Sequence, residues 1–335
     1  MRNANHRFTL ASRPPGIPGP ENFSEDQVPI RPPEDGELLV ETMYISIDPA
    51  MRSWIGEGPT YTRRIEIGEP MRAGGVARVL ESRSPAFQPG DIVQGRTGWQ
   101  SYPTLRAREA QKLDLARGSL EDWLGPLGTS ALTAYFGLRD VGSLRPNDTL
   151  LVSTAAGGVG QIACQIGLID GCRVVGIAGG AEKCRFITQD LGVAAAIDYK
   201  AEPDLTAAIR RGCPDGVDVY FDNVGGPMLD AALANMRSGG RIVCCGRISQ
   251  AGATEPYGVK NLGMMGGRGM RMGTFIVFDY NSRYPEARAW LAAQIKAGRL
   301  RQKLHVEEGL DRAPHALRML FTGENTGKLV VRVAT

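Results

Sequence analysis

Residues 153–167 read STAAGGVGQIACQIG, a glycine-rich turn between an apolar stretch and a helical pattern. Ala155, Gly157 and Gly160 give the spacing A-x-G-x-x-G, a dinucleotide fingerprint with alanine in place of the first glycine. The first position bends the chain tightly, which alanine can sometimes do. Gly157 lets the backbone approach a pyrophosphate, and Gly160 lets a helix pack closely on its strand. Gly157, Gly158, Val159 and Gly160 thus offer free N–H groups and the positive end of a helix starting near Gly158 to an anion. The alternative is a strand–helix turn that is glycine-rich for packing alone.

Which nucleotide is held depends on the next strand end. An NAD site places a carboxylate about 20 residues on, against the ribose 2′-hydroxyl. Here RVVGIAGG ends at Gly179 and Gly180 with no acid, and Glu182, Lys183 and Arg185 follow. A lysine one turn into the helix attracts a 2′-phosphate that a strand-end carboxylate would repel. Lys183 and Arg185 also read as ordinary solvated helix charge; the missing acid favours NADP. Tyr199, in AAAIDYK, is a candidate cover for the adenine ribose and 2′-phosphate, or a partly buried core aromatic. Asn223, in VYFDNVGG, stands at a strand's carboxyl end, where such sheets bind ligands, or makes an Asn turn.

These residues need a frame, and the spacing predicts one. From about residue 147, strand and helix alternate: DTLLVST, a helix to Gly171, CRVVGIAG, a helix stopped by Gly192, AAAIDY, a helix over 203–211, VDVYFDNVG, a helix over 227–236 and GRIVCCG. Repeated βα units predict a parallel sheet with helices on both faces. The first 120 or so residues carry short apolar runs broken by Pro and Gly, the pattern of a β-rich domain. LGTSALTAYFGL reads as a helix beginning near Gly128 or Thr129. TFIVFDY reads as a strand, PEARAWLAAQIKAG as a helix, and the tail as an extended piece, a helix and a last strand. NLGMMGGRGMRMG (261–273), with Met264, Met265, Met270 and Met272, reads as a mobile lid or dimer-contact loop, or as a surface connector.

A chain of 335 residues is long enough for two domains. Its net charge of +3 argues for neither nucleic acid nor membrane as a partner. The start, MRNANHRFTLASRPPG, has no apolar core before a cleavage site, and no run reaches about 18 apolar residues; a cytoplasmic protein is expected. The six cysteines all lie at or beyond Cys164 without zinc-ribbon spacing and read as buried free thiols.

ASRPPGIPGPENF, YISIDPAMRSWI, GTSALTAYFGL, STAAGGVG, GGAEKCRF, AIDYK, FDNVGG, CCGRIS, MGTFIVFDY and GENTGK occur in that order. Over nearly its full length the chain resembles the medium-chain dehydrogenase/reductases, and most closely their zinc-independent branch of prostaglandin, 2-alkenal double-bond and curcumin reductases. The resemblance implies an α/β protein. A GroES-like β-rich catalytic domain over 1–126 would be completed by about 300–335, and a Rossmann NADP-binding domain, a doubly wound parallel sheet, would span 127–299. It implies a homodimer. It implies also that Gly157 to Gly160 hold the pyrophosphate and that Lys183 and Tyr199, beside Gly179, bind the 2′-phosphate. Asn223, Cys245, Gly246, Ile248 and Ser249 would lie along the dinucleotide. Phe275, Ile276 and Val277 would approach the nicotinamide, and Asn325 would reach the cofactor from the tail. Met51, Arg52, Tyr61, Phe275 and Tyr280 would face the substrate.

Catalytic zinc in alcohol dehydrogenases takes Cys and His ligands from the first domain, and structural zinc takes four closely spaced Cys. Here no Cys precedes Cys164, and His6 is the sole histidine of the first 300 residues; no metal is expected. Without one, the expected reaction is conjugate reduction of an α,β-unsaturated ketone or aldehyde, with hydride passing from NADPH to the β-carbon. The developing enolate needs hydrogen-bond donors, and water or a tyrosine protonates the α-carbon. Relatives carry tyrosines where this chain has Gly267 and Ala50. The nicotinamide ribose hydroxyl then becomes the leading donor, with Tyr61 and Tyr280 as weak catalytic candidates that also read as core or rim residues. The missing tyrosines predict a roomy pocket for bulky aryl enones. A zinc-free NADPH quinone oxidoreductase and a non-catalytic NADPH-binding protein are the alternatives.

Overall fold

Alternation of apolar and polar residues, punctuated by Pro and Gly, gives the first region its strands. The structure, a computed structural model, describes residues 4–58, 60–253 and 255–334. Its chain forms two units: Met1–Leu124 with Leu304–Asn325 and Leu329–Thr335, and Gly125–Lys303 with Thr326–Lys328.

In the first unit, β1 (Asn5–Leu10) and β2 (Phe23–Val28) make an antiparallel ribbon. A second sheet is built on β3 (Glu37–Ser46), β4 (Gly75–Ser82), β5 (Ile92–Gly95), β6 (Thr104–Arg106) and β7 (Gln111–Lys112). Its order runs Leu304–Glu308, Lys328–Arg332, β3, β4, β5, β7, with β6 also paired to β3. The tail strand is antiparallel to β3, with Val331 opposite Ile45. Eight consecutive residues of β3, from Leu38 to Ile45, are buried, as a strand covered on both faces must be. A short helix, α1 (Met51–Ile55), follows β3, and α2 (Leu120–Leu124) closes the N-terminal stretch. Met51 and Ile55 point into a core with Leu10, Ile45, Ile65, Met71 and Trp99, joined by Leu317 and Val331 from the tail.

In the second unit β8 (Thr149–Ser153), β9 (Arg173–Ala178), β10 (Ala195–Asp198), β11 (Val217–Asp222), β12 (Met236–Cys244) and β13 (Arg271–Thr274) form one parallel sheet. Its order is β10-β9-β8-β11-β12-β13. Between β8 and β11 the winding reverses, which opens a crevice at the carboxyl ends of those two strands. The helices α3 (Thr129–Phe136), α4 (Gly158–Ile169), α5 (Ala181–Arg185), α6 (Leu205–Gly212), α7 (Gly226–Asn235), α8 (Met264–Arg268) and α9 (Tyr284–Lys296) surround it. Strand alternation divides them between two faces. Gly167 of α4 lies against Leu150 and Val174, whereas Leu151, Val175 and Ile197 join Ile209, Leu229 and Leu233 of α6 and α7.

Two expectations from the sequence are corrected here. TFIVFDY is not a strand: pairing with β12 ends at Cys244 opposite Thr274. With no ladder partner left, Val277–Arg283 coils into a 3₁₀ helix that stacks Tyr280 on Phe136 at 4.5 Å. The Gly- and Met-rich segment 261–273 is not an irregular loop either. It forms α8 and β13, with Met270 buried and Met264, Met265 and Met272 packed on the α6–α7 core. No helix of the described residues is long and apolar enough to cross a membrane.

Candidate functional site

The glycine-rich turn leaves β8 at Ser153 and starts α4 at Gly158. The left-handed bend falls on Thr154, with φ of 51°, rather than on Ala155. This explains why the first fingerprint position needs no glycine, at the cost of strain in a β-branched residue. The other glycines are sterically required. A side chain on Gly160 would collide with the Thr154 carbonyl oxygen, and one on Gly157 would come within 2.9 Å of Thr154 Cγ2. The loop is braced from behind. Gly327 N–H donates to the Ala156 carbonyl at 2.9 Å, Gln302 to that of Gly158, and buried Gln161 exchanges two hydrogen bonds with the Lys303 backbone. Asn325 immediately precedes this Thr326–Lys328 segment.

At the end of β9, Gly179 leaves room for its neighbours. A side chain there would meet Tyr199 Cε1 at 2.7 Å and Lys200 Cε at 3.1 Å. The nearby acid, Asp198, turns to the backbone, accepting from the N–H groups of Gly180 at 2.8 Å and Lys200 at 3.0 Å. Lys183, in α5, is half-buried; burial first, and then the Lys200 charge, holds its ammonium below the usual lysine range, with Glu182 opposing. Tyr199 keeps 43% of its surface exposed. Sequence reading missed Lys200; its place directly after Tyr199 in IDYK was the available signal. Two lysines and an aromatic ring beside a side-chain-free strand end make a corner suited to a phosphate.

Across the crevice, Asn223 fixes the carboxyl ends of β8 and β11: its N–H donates to Ser153 Oγ and its Nδ2 to the Ser153 carbonyl at 2.7 Å. Asp222, behind it, accepts from Tyr220 and from the Val224 and Gly225 N–H groups, while burial pushes its carboxyl up. The segment after β12 runs alongside. Cys245 and Gly246 N–H donate to the Asp222 carbonyl, Ile248 N–H to that of Asn223, and Ser249 to that of Val224. Burial pushes the Cys245 thiol up to about 12. Phe275 to Val277 leave the adjacent end of β13, with Ile276 exposed. Tyr280 lies between Phe136 and the edge of Phe275, which makes it a packing residue of that rim.

The first unit holds the other candidates, and one is corrected. Met51 is wholly buried in that unit's core, so it supports the face carrying α1 instead of lining it. Arg52 donates to the carbonyls of Gly16 at 2.9 Å and Pro14 at 3.1 Å. Tyr61 is half-exposed. Its phenol is raised by burial of its polar end and by Asp48, against a contact from Trp54 and the charge of Arg72.

Residues 6–113 match the family described as N-terminal domain of oxidoreductase, and residues 158–293 match that described as zinc-binding dehydrogenase. The chain is 38% identical over 340 residues to the NADPH-dependent curcumin reductase of Escherichia coli, covering 100% of this chain and 98% of that one. It is 40% identical over 337 residues to the NADP-dependent 2-alkenal reductase of Nicotiana tabacum, covering 99% and 98%.

The chain belongs to the medium-chain dehydrogenase/reductase family, in the branch of curcumin, 2-alkenal and prostaglandin reductases.

A solved member of this family, CurA from Vibrio vulnificus in complex with NADPH, superposes with a TM-score of 0.92 at 37% identity, covering 98% of this chain and 99% of that one. One of the two matched families is described by zinc. Cys164, Cys172 and Cys213 are buried thiols, and burial pushes Cys164 and Cys172 up to about 12. Among the described residues no three of His, Cys, Asp and Glu are grouped to hold a metal.

Proposed function

We propose that this chain reduces the carbon–carbon double bond of α,β-unsaturated ketones and aldehydes without a metal. The protein is an NADP-dependent oxidoreductase and its cofactor is NADP(H). The observation that carries the assignment is the carboxyl edge of the parallel sheet: a glycine-rich turn that starts α4 at Gly158, beside a lysine-bearing corner at Gly179. NADPH, when bound, supplies the hydride for the β-carbon.

The chain's own residues then have distinct tasks. Gly157, Gly158, Val159 and Gly160 hold the pyrophosphate on backbone N–H groups. Lys183 and Tyr199, joined by Lys200, hold the 2′-phosphate beside Gly179. Asn223, Cys245, Gly246, Ile248 and Ser249 line the dinucleotide, Phe275, Ile276 and Val277 the nicotinamide end, and Asn325 closes on it from the tail. Arg52 and Tyr61 are the substrate-facing candidates of the first unit and Phe275 and Tyr280 those of the second, and Tyr61 is the more exposed of the two tyrosines. Residues 1–126 with 300–335 serve as the catalytic domain and 127–299 as the cofactor domain of a cytoplasmic homodimer. Gly267 and Ala50, small where relatives carry tyrosine, leave room for aryl enones.

The test is steady-state reduction of an aryl enone, a short alkenal and a 1,4-quinone with NADPH, with product analysis. A saturated ketone formed with the highest kcat/KM from the aryl enone is the expected result. Preferred turnover of the quinone would replace the assignment by a quinone oxidoreductase. NADPH binding without oxidation by any acceptor would replace it by a non-catalytic role.

A further inference from the structure

We propose that Asp198 is a positioning residue for cofactor choice: it favours NADPH over NADH without touching either, by tying together the two chain segments that carry Lys183 and Lys200. This rests on the reading of Gly179, Lys183, Tyr199 and Lys200 as a 2′-phosphate corner.

An acid is unexpected beside such a corner. At the end of the second strand of a dinucleotide fold a carboxylate faces the ribose 2′-hydroxyl, and it would repel a phosphate in that place. This chain has no acid at the end of β9, yet it has one on the neighbouring strand. Asp198, the last residue of β10, stands opposite Ala178, the last residue of β9. Its carboxylate is engaged with the backbone: one oxygen, Oδ1, accepts from both the Gly180 N–H at 2.8 Å and the Lys200 N–H at 3.0 Å. Its carbonyl accepts in turn from the N–H groups of Ala201 at 3.0 Å and Glu202 at 3.1 Å. The turn after β10 and the turn after β9 are thus fastened to the same residue.

Both segments gain from a tether. Gly179 and Gly180 are consecutive glycines, the most mobile backbone a chain can have, and Gly180 takes a φ of 94°. They lead directly into α5, which carries Lys183. On the other side Lys200 follows Tyr199, whose N–H donates to the Ala178 carbonyl at 3.1 Å. The two ammonium groups repel one another, since after burial it is the Lys200 charge that holds Lys183 below the usual lysine range. Without an anion the corner therefore tends to spread, and a single oxygen shared by its two segments opposes that spreading. A corner already held in its binding geometry gives up less freedom when a phosphate arrives. NADH, without the 2′-phosphate, gains nothing from it.

Fluorescence titration of the full chain with NADPH and with NADH tests this, because three substitutions separate the acceptor's position from its charge. Asp198→Ala removes both, and affinity for NADPH is expected to fall about fivefold while that for NADH changes less than about twofold. Asp198→Asn keeps an acceptor oxygen in place without the charge and should retain most of the preference. Asp198→Glu keeps the charge but displaces the oxygen by a methylene, and should lose about threefold in NADPH affinity. If Asp198→Ala does not fold, the contrast between Asp198→Asn and Asp198→Glu carries the test. A ratio of NADPH to NADH affinity unmoved by Asp198→Ala and Asp198→Glu overturns the proposal, and so does an equal loss of both nucleotides. A gain in NADPH affinity in Asp198→Ala and Asp198→Asn overturns it as well, for the acid would then merely repel the phosphate. Lys183→Ala, titrated alongside, tells these failures from that of the corner: if it too leaves the ratio unmoved, the 2′-phosphate reading falls with the proposal.

Discussion

Two neighbouring strand ends of the parallel sheet suit an anion by opposite means. At Gly157, Gly158 and Gly160 the chain strips side chains away, which opens the start of α4 to an approaching group. At 179–200 it removes only the side chain of Gly179 and fills the space with Tyr199, Lys200 and Lys183. Backbone N–H groups hold any pyrophosphate and cannot tell one dinucleotide from another. Mobile side-chain charges can, because they meet only the 2′ substituent. The function proposed above therefore separates general affinity from cofactor choice on adjacent strand ends.

Gly160→Val should have the largest effect, because its side chain collides with the Thr154 carbonyl. Loss of about 3 kcal/mol of stability and of binding to NADPH and NADH alike is expected in a melt and a fluorescence titration. Retention of either nucleotide at ordinary affinity would break the first half of the comparison. Lys183→Ala should weaken NADPH about tenfold while changing NADH less than about twofold; equal changes in both would refute the second half. Lys200→Ala should act in the same direction more weakly, and a double-mutant cycle with Lys183 measures whether the two share one phosphate.

Gly179→Ala is a smaller perturbation. The added methyl meets the Tyr199 ring at 2.7 Å, and because this ring is at the surface it can yield, so a loss of NADPH affinity of about threefold is expected. Smallest is the pH effect. Burial and Lys200 lower the pKa of Lys183, and Glu182 opposes them, so the lysine loses its proton earlier than an ordinary one as pH rises. Affinity for NADPH should therefore be complete on the acid side and decline on the alkaline side, while that for NADH stays flat. Lys183→Arg should abolish the decline; a decline shared by NADH would place its origin elsewhere.

The parallel sheet was legible because each βα unit declares itself locally: an apolar run of strand length, a glycine turn, a helix. The glycine-rich turn, Lys183, Tyr199 and Asn223 could be placed after strand ends for the same reason, since each follows a recognisable apolar run. Where partners are distant, reading failed. TFIVFDY has strand composition, yet its pairing partner ends at Cys244. Met51 looked like a pocket residue from its motif, yet its side chain completes a core shared with Leu317 and Val331, more than 260 positions away. Lys200 was overlooked because in sequence it is one more exposed lysine; only the empty space over Gly179 gives it a neighbour.

By itself the sequence determined the order of the parallel strands' units, the glycine-rich turn, the absence of an acid at the end of β9 and the shortage of cysteine and histidine in the first 150 residues. These are properties of residue type and local spacing, and no tertiary contact is needed to fix them. Tertiary structure alone decided that Thr154 and not Ala155 takes the left-handed bend, that Asn223 ties two strand ends together, and that the Gly- and Met-rich segment is an edge of the core. It also decided that Arg72 rests on Trp54. Each depends on which remote groups come within a few ångströms, and burial and hydrogen-bond geometry, which local spacing does not encode, set that distance.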